Sequence, residues 1–314
     1  MANGKMKIFS VVLFLVLGSY CSSQIIKKQV RIPLNNSTGV PYMVPGEARW
    51  DYYIQGFDVD SVGNYYFLAG DHRIGITVLA AFNGSKEKYR KTYDHSFANT
   101  ILIHNNKIYV LDKDGFAYEN HIVYANDLYE LSTYDGRILK KYVHITKKFI
   151  NDYEYVDNLI VADVADSMRF PLGARHYELF DLKGEDMGSV KNEMNIYNLP
   201  DSLKLPKKKT RIFLGRWNKC NVFWGLQTND KPGNLGVGYY NFYFYDSIGK
   251  YIGMVSLDNK VFGMQFFMFP HEHKRMRNGT IYILGWDDKD ALISELSVEE
   301  LYKDALQHPI IDKK

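Results

Sequence analysis

Cysteine is nearly absent, with two residues in 314, Cys21 and Cys220. Cys21 falls in a leader-like N-terminus, so the rest of the chain has no pair to oxidise and a disulfide-stapled fold is excluded. A chain of this size does not need one, because its core buries most of the unfolded surface. Long apolar runs are lacking too. The run from Ile8 to Leu17, broken at Ser10, is shorter than the ~20 residues a membrane helix requires. With Lys5 and Lys7 before it and Gly18, Ser19, Ser22 and Ser23 after it, the segment 1–23 reads as a secretory signal cleaved after Ser23, leaving Gln24 first. Lipid attachment at Cys21 is the rival, disfavoured by bulky Tyr20 where a lipoprotein signal carries a small residue. The expected location is therefore secreted, periplasmic or cell-surface, with residues 24–314 forming one domain and no transmembrane segment.

Charge of one sign is also missing. The 39 basic residues fall to 37 once Lys5 and Lys7 leave, against 36 acidic ones, a balance that argues against nucleic acid as a partner. The one basic run, Lys207-Lys208-Lys209 with Arg211, follows Leu205-Pro206 and reads as a solvated loop. Familiar catalytic signatures are absent: no Gly-x-Ser-x-Gly elbow, no His-Glu-x-x-His helix, no phosphate loop and no calcium-loop spacing. Cys220, beside Val222, Phe223 and Trp224, reads as a buried thiol rather than a nucleophile.

What is present is a repeated hairpin. Five times a short strand enters a polar turn and leaves as an aromatic strand: Phe57 to Phe67, Ile101 to Leu111 around Asn105-Asn106, Tyr153 to Ala162 around Asp157-Asn158, Ile212 to Trp224 around Asn218-Lys219, and Gln265 to Leu284 around Asn278-Gly279. Asn, Asp and Gly tolerate the positive φ that such turns demand. Each is followed by an outer hairpin, turning at Asn83-Gly84, Asp135-Gly136, Gly184 and Gly249. The fifth copy stops after Ala291 to Leu296, where Ser297 and Glu300 fit a capping box opening a helix over Val298 to Leu306. Its missing outer strand has a donor in Ile25 to Leu34. Pairing the two closes the ring and removes its exposed edges. The expected fold is all-β, a propeller of five four-stranded blades, with the long connection 187–209 leaving room for a sixth.

The turn Asp60-Ser61-Val62-Gly63-Asn64-Tyr65-Tyr66-Phe67 resembles the Asp-x-x-Gly-Asn-aromatic hairpin of NHL-type and bacterial six-bladed-type propeller repeats in the secreted β-propeller superfamily. The match covers one hairpin, and it implies the architecture but no activity. In such rings the loops joining second to third strands gather on one rim. Here those loops carry Asp71-His72-Arg73, Asp112, Asp163, Asp230 and Trp286-Asp287, which makes the rim the expected ligand-binding face. Asp is equally an ordinary turn residue that bonds its own backbone.

Other candidates are weaker. In His271-Glu272-His273 two imidazoles lack a third ligand, and the neighbours Pro270, Lys274, Arg275 and Arg277 describe an exposed basic turn, so no metal site is assigned. A glycosidase would need paired carboxylates in the channel, for which Glu47, Asp51, Asp58, Asp152 and Glu154 stand near inner strands. Tyr239 to Tyr245 places rings on both faces of one strand, as packing between blades requires. Sequons at Asn35, Asn36, Asn83 and Asn278 matter only in a eukaryotic secretory route. The functional expectation is a binding or interaction module holding a small molecule, carbohydrate or protein on the rim, with no evident cofactor beyond a divalent cation such as calcium. The alternative is a propeller hydrolase of glycosidase or lactonase type.

Overall fold

The computed structural model describes residues 25–42, 54, 56–71, 75–95, 97–112, 117–118, 121–122, 127–142, 149–156, 159–165, 176–190, 212–228, 238–263, 273–287 and 289–307. The signal-like residues 1–23 and most of the 187–209 connection lie outside this set.

An N-terminal strand β1 (Ile26–Pro33) precedes blade one, formed by β2 (Gly56–Val59), β3 (Asn64–Asp71), β4 (Ile76–Asn83) and β5 (Lys86–Tyr93). Blade two begins with β6 (Phe97–His104) and β7 (Lys107–Asp112). A two-stranded excursion, β8 (Ala117–Tyr118) and β9 (His121–Ile122), intervenes before β10 (Leu128–Ser132) and β11 (Ile138–Tyr142) complete it. Blade three comprises β12 (Phe149–Val156), β13 (Leu159–Ala165), β14 (His176–Asp181) and β15 (Asp186–Val190). Blade four comprises β16 (Ile212–Trp217), β17 (Cys220–Thr228), β18 (Gly238–Asp246) and β19 (Tyr251–Asp258). Blade five supplies only β20 (Lys274–Arg277), β21 (Thr280–Trp286) and β22 (Asp290–Ser297) before helix α1 (Val298–Gln307). Its fourth strand is β1, antiparallel to β22 with Ile32 opposite Ala291 and Val30 opposite Ile293. The five-bladed propeller is thus closed by its own N-terminus.

The turns explain the hairpins. Asn105 and Asn106 adopt φ 48° and 57°, and Asn278 and Gly279 adopt 47° and 72°, left-handed values that these residues tolerate best. Helix α1 starts as expected, with the Ser297 Oγ accepting the Glu300 N–H at 3.3 Å, although the Glu300 carboxylate turns to Lys303 instead of completing a box.

Alternating side chains send each strand's residues into two different seams between blades. One seam joins blades five and one, packing Val30, Ile32, Leu284 and Ile293 on Phe57, Tyr65, Phe67 and Phe82. The next joins blades one and two through Tyr66, Leu68, Leu79, Ile101, Ile108 and Tyr129. Blade four gives Trp224, Tyr240, Phe242 and Phe244 to Ile281, Ile283 and Leu296 of blade five and to Leu301 of the helix, while Phe223, Tyr243 and Tyr245 occupy its opposite face. From Tyr240 to Tyr245 the aromatics of β18 are therefore core on both sides, while Tyr239 is exposed. Each large side chain sealed in this way contributes roughly 1.5–3 kcal/mol. Cys220 is buried, and burial pushes its thiol up from the ordinary range.

One expectation needs correcting. The segment after Pro270 is not an exposed basic turn: Lys274–Arg277 is the innermost strand of blade five, and both His273 and Lys274 are buried. An innermost strand has seams on both sides, so its consecutive residues diverge into different ones. Pro270, His271 and Glu272 lie outside the described residues, as does the expected start of this strand at Gln265.

Candidate functional site

Innermost strands run toward the short-turn face and second strands return, so every second strand ends on the rim. Asp71 closes β3, Asp112 closes β7 and Trp286 closes β21 with Asp287 directly after it, while Asp163 lies near the end of β13. His72, Arg73 and Asp230 are outside the described residues, as are the side chains of Asp71 and Asp163.

Of the rim residues whose side chains are described, three have distinct surroundings. Trp286 is buried, edge-on to the His273 ring at 5.5 Å, and offers no stacking face to solvent. Asp287 caps its own turn, its Oδ1 accepting the N–H groups of Lys289 at 3.0 Å and Asp290 at 2.9 Å, and its Oδ2 pairs with Arg31 of the closing strand. These bonds hold its carboxyl below the usual range, the Lys289 donor foremost, with the Asp290 donor and Arg31 helping to overcome the opposing cost of burial.

Asp112 is different. Its side chain is buried, with Oδ2 3.9 Å from Nδ1 of His95. Its backbone N–H donates to the carbonyl of Asp127 at 2.8 Å, pinching together the two ends of the long 113–126 connection. Asp127 is buried as well and pairs with the Lys141 ammonium. That bond, with a further one to Tyr129, pushes Lys141 above its ordinary value, and burial pushes Tyr129 up in turn. His95 lies in the short link between blades one and two, its ring centroid 5.3 Å from that of Tyr129 and 5.9 Å from that of Phe97. Thr77 fixes this link, its Oγ1 donating to the His95 carbonyl at 2.7 Å and accepting from the Phe97 N–H. At 37% exposure, His95 is the part of the group that solvent reaches, together with Lys141 at 53%. The result is one compact patch holding an imidazole, an ammonium, a phenol and two carboxylates. Asp112 was legible from its place after a second strand. Asp127, at the other end of the same loop, carried an equivalent signal, whereas Lys141 joins it through the pairing of β11 with β10 and His95 through the packing of blade one on blade two.

The channel holds one carboxylate among the described innermost-strand side chains, Asp58 of β2, at 0% exposure. Its Oδ2 accepts the Ile103 N–H at 2.7 Å and Arg277 Nη2 at 3.0 Å, its Oδ1 accepts the Val59 N–H at 2.8 Å, and Arg275 Nε lies 3.6 Å away. A carboxylate so fully engaged has no lone pair aimed at a substrate. The other carboxylates expected there, Glu47 and Asp51 as residues and Asp152 and Glu154 by their side chains, are outside the described set. Near the rim end of the same wall, the His273 ring shares a 2.7 Å hydrogen bond with the Ile54 carbonyl, and its burial lowers the imidazole to about 3. Lys274, on the opposite face, holds its ammonium 4.1 Å from the Trp224 ring and 4.7 Å from that of Tyr240. Burial pulls Lys274 down to about 7, while the ring faces favour its charged form. No group of three or more metal-ligating side chains occurs among the described residues.

No protein-family model matches this chain, and no curated protein does so significantly. Among solved structures it is similar to BamB from Moraxella catarrhalis, at 12% identity and TM-score 0.32 over 86% of this chain and 99% of that one. It is also similar to MPT-1, a GDP-Man-dependent mannosyltransferase from Leishmania mexicana, at 10% and 0.42 over 89% and 92%. A third is the GH43 protein BlXynB from Bacillus licheniformis, at 10% and 0.35 over 74% and 48%. Superpositions this loose carry no argument about activity.

Proposed function

We propose that this protein is a secreted binding propeller that holds a small ligand or partner on its rim, with the patch around His95 and Asp112 as the polar centre of the site. The observation that carries the reading is that Asp112 is buried beneath a half-exposed imidazole, its Oδ2 3.9 Å from His95 Nδ1. Binding sites place a few fixed polar groups on a rigid frame, and here the frame is the blade one–two seam. The rim also bears the long connections of the ring, including the β8–β9 excursion, which gives a near-symmetric scaffold an asymmetric surface. Ligands rich in hydroxyls suit the patch, since imidazole, carboxylate and ammonium offer both donors and acceptors. A divalent cation such as calcium is a candidate co-ligand. The test is calorimetric titration with a panel of mono- and oligosaccharides, with and without calcium, comparing the wild type with His95→Gln. Loss of binding in the variant at unchanged melting temperature supports the reading, and equal affinity in both overturns it.

The His95–Asp112 approach also favours a second reading, acid–base hydrolysis of a lactone or glycoside at the same patch, because a carboxylate-oriented imidazole is a usual proton carrier. Turnover of such substrates that disappears in His95→Gln would establish the enzyme. Export is tested separately by intact mass: a chain beginning at Gln24 fits the secreted form, and an acylated Cys21 places the protein on a membrane.

A further inference from the structure

The arginines of the innermost strand of blade five cross the lumen. From β20 the Nη2 of Arg277 reaches the carbonyl of Ile103 at 3.3 Å, and Nη2 of Arg275 that of Ile101 at 3.5 Å. Both acceptors lie on β6, two blades away around the ring, and the fully buried Asp58 of β2 stands between. Arg277 sits one residue from the turn Asn278-Gly279, so its guanidinium occupies the end of the channel opening on the short-turn face.

Tying blades five, one and two together requires only part of this side chain. Every hydrogen bond of Arg277 runs through Nη2, to both oxygens of Asp58 and to the Ile103 carbonyl. Its Nε–H and two Nη1–H groups donate to nothing among the described residues, and the side chain remains 32% exposed. A guanidinium locked at one nitrogen by a buried carboxylate loses little further entropy when it binds, and its unspent donors suit oxyanions. A second arginine sits at the same level of the neighbouring strand, its Nε donating to Asn221 Oδ1 at 3.3 Å. Gly215 of β16 abuts the Met276 methyl, so the exposed Arg216 and Arg277 are the next residues on neighbouring strands running in the same direction. Protein walls around a narrow lumen focus such a field.

We propose that the short-turn mouth of the channel is an oxyanion site, in which Arg277, preset by Asp58, receives a carboxylate or phosphate group from a ligand entering on the face opposite the rim. The site is independent of the His95 patch. It is tested on the full mature protein by following the Arg277 Nε–H resonance during titration with sodium phosphate and, separately, sodium acetate, at ionic strength fixed with chloride. A saturable shift is expected with at least one anion at millimolar concentration, and which anion acts tells a phosphate end from a carboxylate end. Arg277→Lys, which keeps the charge near Asp58 but loses the spare donors, should weaken that binding by about tenfold, whereas His95→Gln should leave it unchanged. If the Nε–H resonance moves with neither anion, or moves equally with chloride alone, the proposal fails. That wild-type measurement stands even if the lysine variant folds poorly.

Discussion

The described aspartates of the two faces keep different company. On the short-turn face Asp60, Asp181 and Asp246 each accept the backbone N–H groups of the residues two and four positions on: Val62 and Asn64, Lys183 and Glu185, Ile248 and Lys250. On the rim Oδ2 of Asp112 lies against His95 and Oδ2 of Asp127 against Lys141. Asp287 departs from these rim neighbours. It lies on the rim, yet its loop is only Asp287–Lys289 long, and it caps that loop as a short-turn aspartate does. A tight turn curls its own N–H groups onto the first carboxylate, whichever face it lies on. Asp258, at the rim end of β19, does the same with the N–H of Lys260 at 2.9 Å.

The harshest way to break the comparison is to remove the scaffold both faces share. Deleting residues 24–34 strips β1 from β22 and takes Val30 and Ile32 out of the seam. Cooperative thermal unfolding should be lost or shifted down by far more than any point change achieves; a truncated chain that melts like the full one would rule out closure by β1. Next in size is acid. His273 is held neutral, its imidazole lowered to about 3 from an unfolded value near 6.5, so below about pH 6.5 the unfolded chain takes up a proton that the folded chain refuses. Stability contributed by the neutral ring is present above that pH and should drain away progressively toward pH 3, by on the order of several kcal/mol in all. Denaturant titrations from pH 7 to pH 4 should show that slope, and His273→Gln should flatten it.

Smaller changes sharpen the contrast between faces. Asp246→Ala on the short-turn face leaves two turn N–H groups without their acceptor. It should cost about 1 kcal/mol, or roughly 2–4 °C in melting temperature, with no effect on any rim ligand. His95→Gln should do the reverse, weakening a rim ligand by about tenfold, or about 1.4 kcal/mol of binding, while the melting temperature holds. The smallest effect is expected at Asp287→Asn, whose Arg31 pair is exposed and whose turn bonds an amide oxygen can still accept. It should shift stability by less than about 0.5 kcal/mol and leave binding untouched. A large loss of ligand affinity there would show that a turn cap can also serve the site, and would dissolve the distinction drawn here.

The parts legible without coordinates were the local ones. Hairpin positions follow from Asn, Asp and Gly at turns and from alternation of aromatic residues along the strands, and the unpartnered strand Ile25 to Leu34 announced the closure because five inner hairpins stood against four outer ones. The helix start was legible in Ser297. Asp112 could be picked out, but not told apart from Asp287, since both are an Asp following a second strand.

The segment Pro270–Arg277 was misread for a related reason. Its charges suggest solvent, whereas its place in the ring sends His273 toward Ile54, Lys274 toward Trp224, and two arginines across the lumen to Asp58. The amino-acid order by itself determined hairpin positions and the donor of the closing strand, while leaving room for a sixth blade, because turn chemistry and side-chain alternation act over a few residues. Which carboxylate meets a histidine and which holds an arginine in the channel was decided only when the fold brought together residues from 17 to 219 positions apart, where burial and pairing outweigh local preference.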